Sequence, residues 1–534
     1  MGRSSRWRDD VAMTGLVLGL ATAIPALAQS GDAVPAPAAS PAPRFDIRAF
    51  QVRGNKLLPP ELVERIVYPF MGPGRTGDDV EAARAALQKA FEDRGYVAVA
   101  VFVPEQTVET GILMLEVQPQ AIGQVRVEGD TRHADRVRAQ GRSIRPGETP
   151  NLPAFQRDMI AMNQKPTRRV TPDLRAGEAP GTLDVVLKVE ESAPLHLSAE
   201  LNNYASSATS DLRAAATLRY DDLWGRGDSI SVSAQTAPRR PDDAKVVSAN
   251  YLMRLGTGTQ LMLYGVHSDS NIAVVGGTSV IGKGDMAGVR LIRTLGTAAG
   301  FYHSLTVGID WKDFKEDVLL GADRAGAPIR YFPVSAAWRG DWTGDRTNTD
   351  LTLTGTFGLR GLGDGWERFD AKRYMARPSF LVVKLDGAHT QDVFAGFQFN
   401  GHIGAQWAGA PLISNEQFSL GGMQSVRGYF ESEALGDWGI ATQVELRSPD
   451  LAEAIGKPLD SLRFHLFVDS GVAGIHRPLI GQRDDFRAMS TGLGGRVRLL
   501  RYLNGAVDLG IPLVTTPESR SGDVFARFRI WGEF

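Results

Sequence analysis

Residues 195–202 read Leu-His-Leu-Ser-Ala-Glu-Leu-Asn, and residues 212–220 read Leu-Arg-Ala-Ala-Ala-Thr-Leu-Arg-Tyr. In the first stretch Leu195, Leu197, Ala199 and Leu201 alternate with His196, Ser198, Glu200 and Asn202. In the second, Leu212, Ala214, Ala216, Leu218 and Tyr220 alternate with Arg213, Ala215, Thr217 and Arg219. A period of two puts each set on its own face of a strand, one apolar and one polar. Such segments, roughly ten residues long and separated by Gly, Asp, Asn and Pro clusters, continue from about Pro194 to Phe534, and helical periodicity is absent from them. A soluble sandwich alternates in the same way, but one of about 340 residues would split into domains.

The C-terminus and the N-terminal segment shift the balance toward a barrel. Val524, Ala526, Phe528, Ile530 and the final Phe534 share one face, with Arg527, Arg529 and Glu533 on the other. An apolar face toward lipid and a charged face toward a wet lumen describe the closing strand of a transmembrane barrel. The terminal Phe534 resembles the assembly signal of bacterial outer-membrane proteins. At roughly 20 residues per strand and connection, residues 193–534 predict an antiparallel β-barrel of about sixteen strands.

The N-terminus agrees with export from the cytoplasm. Arg3, Arg6 and Arg8 precede an apolar run from Val11 to about Ala23, and Ala26-Leu27-Ala28 is a small-x-small cleavage site, so residues 1–28 read as a signal peptide. The run is shorter than the roughly 20 residues a spanning helix needs. Residues 29–44, with Pro35, Pro37, Pro41 and Pro43 among alanines, read as an extended linker. The chain has no cysteine, which excludes disulfides and thiolate sites and suits passage through an oxidising compartment. A formal net charge of -2 argues against nucleic acid as a partner. The eight histidines form no metal-ligand spacing, and no catalytic constellation emerges, so neither a metal, a cofactor nor an enzyme activity is expected.

Between linker and barrel lie two copies of one pattern. In residues 45–118 a strand over Ile47–Val52 precedes a short helix after Pro59-Pro60. A longer helix follows, with Val80, Ala83, Leu87 and Phe91 on one stripe, Asp78 or Asp79 as N-cap and Gly95 as C-cap. Val97, Val99, Val101 and Val103 then mark a strand, and Gly111–Val117 another. Residues 121–192 repeat this β-α-α-β-β order, with strands over Gly123–Gly129, Arg169–Leu174 and Leu183–Val189 and helices over Ala134–Gln140 and Leu152–Asn163.

Three late segments carry the candidate site. Phe418 to Tyr429 reads Phe-Ser-Leu-Gly-Gly-Met-Gln-Ser-Val-Arg-Gly-Tyr, too apolar and glycine-rich for an exposed loop. In Arg463–Gly471, Leu462, Phe464, Leu466 and Val468 share one face, which turns Arg463, His465, Phe467 and Asp469 into the lumen. In Gly439–Arg447, Ile440, Thr442, Val444 and Leu446 face lipid, leaving Gln443, Glu445 and Arg447 inside. Gly492–Gly495 lacks the helix and Lys-Ser/Thr pair of a phosphate loop, and Arg226-Gly227-Asp228 reads as a hairpin turn.

Val-Arg-Gly-Tyr at 426–429 together with Phe-x-Asp-x-Gly at 467–471 resembles the paired signature of two-partner secretion transporters of the hemolysin-activator and haemagglutinin-secretion type. The two repeats resemble polypeptide-transport-associated (POTRA) domains. Asn202-Asn203, Asp221–Asp228, Asn163, Gly177 and Gly181 add family-like stretches, and the likeness covers nearly all of the chain after the signal. The resemblance implies an inward-folded loop over about 411–438 that carries Arg427 to Asp469 on the barrel wall. Val426, Gly428, Tyr429, Glu445, Phe467 and Gly471 would support it, and in a watery lumen the pair would set registry rather than add stability. It further implies a secreted passenger polypeptide bound by the POTRA domains, surrounding outer-membrane lipid, and the barrel-assembly machinery as partner during biogenesis. Relatives often carry an N-terminal plug helix; with only the linker ahead of the first repeat, none is expected here. The alternative within the superfamily is a barrel-assembly insertase, which usually has more than two POTRA units.

Overall fold

The computed structural model describes residues 43–534 apart from 130, 132, 133, 164, 166, 257, 271, 276, 277, 299, 316, 321 and 322. The expected signal peptide, nearly all of the linker and any plug ahead of the first repeat lie outside the described residues. The chain divides into two compact units, the first running to Asn163 and taking in Val170–Glu190, the second comprising Gln164–Arg169 and Glu191–Phe534.

In the first unit the strand expected over Ile47–Val52 is split at Arg48, whose N–H turns to Gly111 O at 2.7 Å. Its pieces, β1 (Phe45–Ile47) and β2 (Ala49–Arg53), go separate ways: β1 pairs with β3 (Gly72–Arg75) in a small ribbon. With β4 (Val99–Phe102) and β5 (Ile112–Pro119), β2 builds a sheet in the order β2-β5-β4. Helices α1 (Pro60–Val67) and α2 (Gly77–Glu92) cover it, and Val63, Val67, Leu87, Phe91, Val99, Val101, Leu115 and Val117 form the core. The N-cap of α2 is Thr76, not Asp78 or Asp79. Asp79 stands at the third helical position, where its Oδ2 reaches back to accept the Thr76 N–H at 2.9 Å, a reach that a carboxylate at the cap itself lacks. That bond holds the Asp79 carboxyl below its ordinary range, so its support of the helix is present at neutral pH and fades as pH falls through the lowered value. Val97 and Val103 are exposed and lie outside β4.

The second repeat contains β6 (Ala121–Glu128), α3 (Ala134–Gln140), α4 (Leu152–Met162), β7 (Arg168–Ala176) and β8 (Thr182–Glu191), with sheet order β6-β8-β7. The repeats share a device at the last-joined edge. Gln88 of α2 pairs with Val99 O and Val101 N on β4, both at 2.9 Å, and Asn163 at the end of α4 pairs with Val170 O at 2.9 Å and Val170 N at 2.6 Å on β7. Leu87→Ala removes a fully buried side chain from the first core. It is expected to cost about 2–5 kcal/mol, read as faster proteolysis of the first unit in the purified full-length protein while the barrel keeps its heat-modifiable mobility.

In the second unit the strands are β9 (Leu195–Asn202), β10 (Arg213–Leu223), β11 (Asp228–Thr236), β12 (Lys245–Gly256), β13 (Thr259–Asp269), β14 (Ile272–Val275), β15 (Thr278–Ile281) and β16 (Gly284–Ala298). They continue as β17 (Phe301–Phe314), β18 (Asp317–Leu320), β19 (Asp323–Gly326), β20 (Ile329–Thr343), β21 (Thr347–Gly363), β22 (Leu381–Asp392) and β23 (Gln398–Ala408). Last come β24 (Phe418–Leu420), β25 (Ala434–Gly436), β26 (Trp438–Arg447), β27 (Leu459–Gly474), β28 (Asp485–Leu499), β29 (Leu503–Pro512) and β30 (Phe525–Glu533). Sixteen of them close into an antiparallel barrel, β30 pairing back onto β9, while β14-β15, β18-β19 and β24-β25 are separate hairpins in the connections. Closure leaves no unpaired edge, which is what hydrocarbon requires of a spanning sheet.

Apolar side chains such as Leu197, Leu218, Val232, Val289, Val307, Leu353, Leu466 and Val507 are exposed on the outer face, as their alternation predicts. Connections at one end are short, 257–258, 299–300 and 344–346 among them; at the other they are long, as at 270–283, 364–380 and 409–437. Trp224, Tyr302, Trp342, Phe394, Tyr502 and Phe534 are exposed near the short-turn end, and Trp407 and Trp438 near the other, the placement expected of interfacial girdles. Helix is not absent from the barrel unit: α5 (Trp366–Lys372) and α6 (Ala452–Ile455) occupy connections. The seven residues of α5 have too few turns to show a period, and tertiary packing of fully buried Phe369 against Tyr331 and Phe380 holds them.

Candidate functional site

The segment that turns inward is 409–437 rather than about 411–438: it begins where β23 ends at Ala408, and it stops before Trp438, which already pairs with Gly474 in the wall. Its ends are joined by the β24-β25 hairpin, beyond which the loop continues as a tip of residues 421–433. Two buried carboxylates tie its base. Glu416 accepts from Lys312 Nζ and Tyr331 Oη, both at 2.6 Å. Asp437, fully buried, accepts from Leu412 N at 2.9 Å, Gln417 Nε2 at 2.9 Å and His476 N at 2.6 Å. Around them Phe314, Tyr331, Phe369, Phe380, Leu412 and Ile413 pack into one buried cluster at the long-loop end.

At the tip, Arg427 meets Asp469 along its whole edge: Nε to Oδ2 at 2.7 Å, Nη2 to Oδ1 at 2.7 Å, and its own backbone N to Oδ2 at 3.0 Å. The fourth direction, Nη1, donates to Glu445 Oε1 at 2.5 Å, and Asp508 Oδ1 stands 3.6 Å behind. The guanidinium lies over the Phe467 ring, 3.7 Å from its centroid. A planar cation with two donor edges fits a carboxylate, a second carboxylate and an aromatic floor at once, which an ammonium cannot do.

The pair is not in water. Arg427 is 3% exposed and Asp469 0%, so the expectation of a watery contact is corrected. The dryness comes from the loop's own apolar residues: Leu420, Val426 and Tyr429 pack with Ala441, Ala473 and Ala488 of the wall. Glycines make the room. A Cβ at Gly471 would come within 2.5 Å of Leu420 Cδ1, and one at Gly510 within 2.8 Å of Gly428 N. Gly428 itself turns the tip at φ +87°, a conformation a side chain disfavours. Tyr429 Oη sits 2.9 Å from Met489 O and 2.8 Å from Val514 O, pinning the far side of the tip.

The residues singled out in the sequence therefore lie together, with Phe534 apart at the barrel seam, where its N donates to Leu197 O at 2.8 Å. Sequence reasoning missed Asp508, Arg496 and the base carboxylates Glu416 and Asp437. Arg496 Nη2 reaches Glu445 Oε1 at 3.1 Å and Arg447 Nη2 reaches Oε2 at 2.6 Å, while His465 Nε2 and Asp508 Oδ1 are 2.7 Å apart. Alternation placed Arg447 and His465 in the lumen, but only register across four strands brings them to Arg427.

A family model described as haemolysin secretion/activation protein ShlB/FhaC/HecB matches residues 181–497, and one described as POTRA domain, ShlB-type, matches residues 45–119. The outer membrane transporter CdiB of Dickeya dadantii (strain 3937) is 23% identical over 479 residues, 88% of this chain and 83% of that protein. The heme/hemopexin transporter protein HuxB of Haemophilus influenzae (strain 86-028NP) is 19% identical over 416 residues, 76% of this chain and 72% of that one. The solved structure of CdiB from Escherichia coli has the same fold, with a TM-score of 0.69 at 19% identity over 94% of this chain and 93% of that one. With the first family model covering more than half of its residues, the chain belongs to the ShlB/FhaC/HecB haemolysin secretion/activation family, two-partner secretion transporters whose barrel sits in the outer membrane behind periplasmic POTRA domains.

Proposed function

We propose that the protein captures an unfolded partner exoprotein in the periplasm and passes it through the barrel to the cell surface without ATP. In this reading residues 1–28 are removed, 29–44 tether the first POTRA domain (45–118), 121–192 form the second, and 193–534 form the translocating barrel. The observation that carries it is the tip of residues 421–433, seated inside the barrel by Arg427 on Asp469 and Glu445. A loop tip buried against the inner wall suits a channel that opens only when a chain displaces that loop. Folding of the partner outside then prevents its return, and differential binding along the way replaces a nucleotide.

Capture by strand addition needs a free sheet edge. Gln88 and Asn163 already occupy the outer edges of β4 and β7, and Gly147 and Glu148 occupy that of β6 at Ile122, which leaves β2 and the part of β6 beyond Ile122 as the edges for an incoming strand. Because the chain lacks cysteine, this is testable by cross-linking. Arg126→Cys on β6 is expected to trap a cysteine-bearing stalled partner several-fold more than Thr171→Cys on β7; equal trapping would remove the edge assignment. The function itself is tested in vesicles holding only this protein, where nucleotide-free buffer should support passage of the denatured partner. If depletion instead left the surface proteome intact and misassembled other barrels, the insertase reading would stand.

A further inference from the structure

The wall around Arg427 is prepared for its departure at two of three carboxylates. Without Arg427, Glu445 keeps Arg447 Nη2 at 2.6 Å and Arg496 Nη2 at 3.1 Å, and Asp508 keeps His465 Nε2 at 2.7 Å. Asp469 differs. It is fully buried, and the three hydrogen bonds described for it all come from Arg427. Directly opposite it in register stands Ser490, also fully buried, whose Oγ has no partner among the described residues. When the tip withdraws it leaves a slot with a carboxylate along one edge, a second carboxylate at the end, the Phe467 ring as floor and an unused hydroxyl. A buried carboxylate without a counter-charge is strongly disfavoured. Sodium or an ammonium would balance the charge but neither bridge both carboxylates in a plane nor stack on the ring.

We propose that this slot is a guanidinium site in its own right, entered by an arginine side chain of the passing polypeptide while the tip is withdrawn. The proposal rests on the reading that Arg427 holds the tip at rest. The tip then leaves by exchange rather than by exposing Asp469. Its return is favoured because a tethered Arg427 competes at a far higher effective concentration than a moving chain.

The test uses purified full-length protein in detergent and in planar bilayers. Guanidinium chloride at about 10 mM, below denaturing levels, is expected to raise the Tm of Arg427→Ala, whereas equal sodium or tetramethylammonium chloride does not. Wild type, already occupied, should not respond, and adding Asp469→Asn to Arg427→Ala should abolish the response. Should the alanine variant not assemble, Arg427→Gln carries the same expectation. In bilayers an unfolded arginine-containing peptide should block the Arg427→Ala pore at about tenfold lower concentration than its citrulline counterpart. Equal Tm responses to all three salts, a response that survives Asp469→Asn, or equal block by both peptides would overturn the exchange. If Arg427→Ala exports normally, the resting lock and the exchange fall together; if it does not export yet shows no guanidinium preference, the exchange alone falls.

Discussion

Arg427→Ala is expected to lower export of the partner about tenfold or more while the barrel still reaches the outer membrane. Removing the guanidinium deprives Asp469 of its side-chain counter-charge and all but the backbone hydrogen bond from residue 427, at a position that is fully buried. Breaking one member of such a pair costs about 3–5 kcal/mol, enough to unseat a tip whose other ties to the wall are mostly single neutral contacts, among them Tyr429 to Met489 and Val514, Met423 to Gln443 and Glu431 to Ala205, with Glu433 on Ser519. The sixteen-strand ladder is untouched, so assembly should survive. Arg427→Lys should recover only part of the loss, since an ammonium cannot bond both Asp469 oxygens and Glu445 in one plane. The measurement compares partner in the medium with heat-modifiable barrel in the membrane. Normal export by both Arg427→Ala and Asp469→Asn would remove the proposed role.

Deleting Phe534 is expected to reduce the amount of assembled barrel several-fold. The seam between β30 and β9 matches only Arg529–Glu533 with Ser198–Asn202, shorter than the eight matched positions on the far side of either strand. Phe534 extends it by two backbone bonds, its N to Leu197 O at 2.8 Å and Leu197 N to its O at 3.1 Å, and its ring stacks on Tyr502. Phe534→Ala keeps the backbone pair and loses the ring, so comparing it with the deletion separates seam closure from recognition of an aromatic end. Wild-type levels of folded barrel in both would show that neither matters.

The barrel was legible because alternation is local. Leu195 to Asn202 betrays its two faces without help from any other strand, and dividing length by repeat led to about sixteen. Parity also turned Asp469 and Glu445 inward, although their meeting with Arg427 rested on the paired motifs rather than on spacing. What stayed hidden was everything set by register or by tertiary packing. Arg496 and Asp508 reach the site through neighbours fixed by pairing β27 with β28 and β28 with β29. The helix α5 forms because Phe369 has a pocket to fill, and Asp437 gathers donors from segments as distant as Leu412 and His476. The misplaced cap of α2 has a smaller cause: two adjacent aspartates follow Thr76, and composition alone does not tell a cap from the third residue that reaches back to it.

The loop base is tied by Asp437 and Glu416 and the tip is seated by Arg427, so the protein's own backbone stands against the inner wall of the barrel. In the proposed reading, transit is a substitution of one polypeptide for another along that wall. On that reading, variants that unseat the tip should announce themselves by admitting bulky antibiotics that the intact surface excludes.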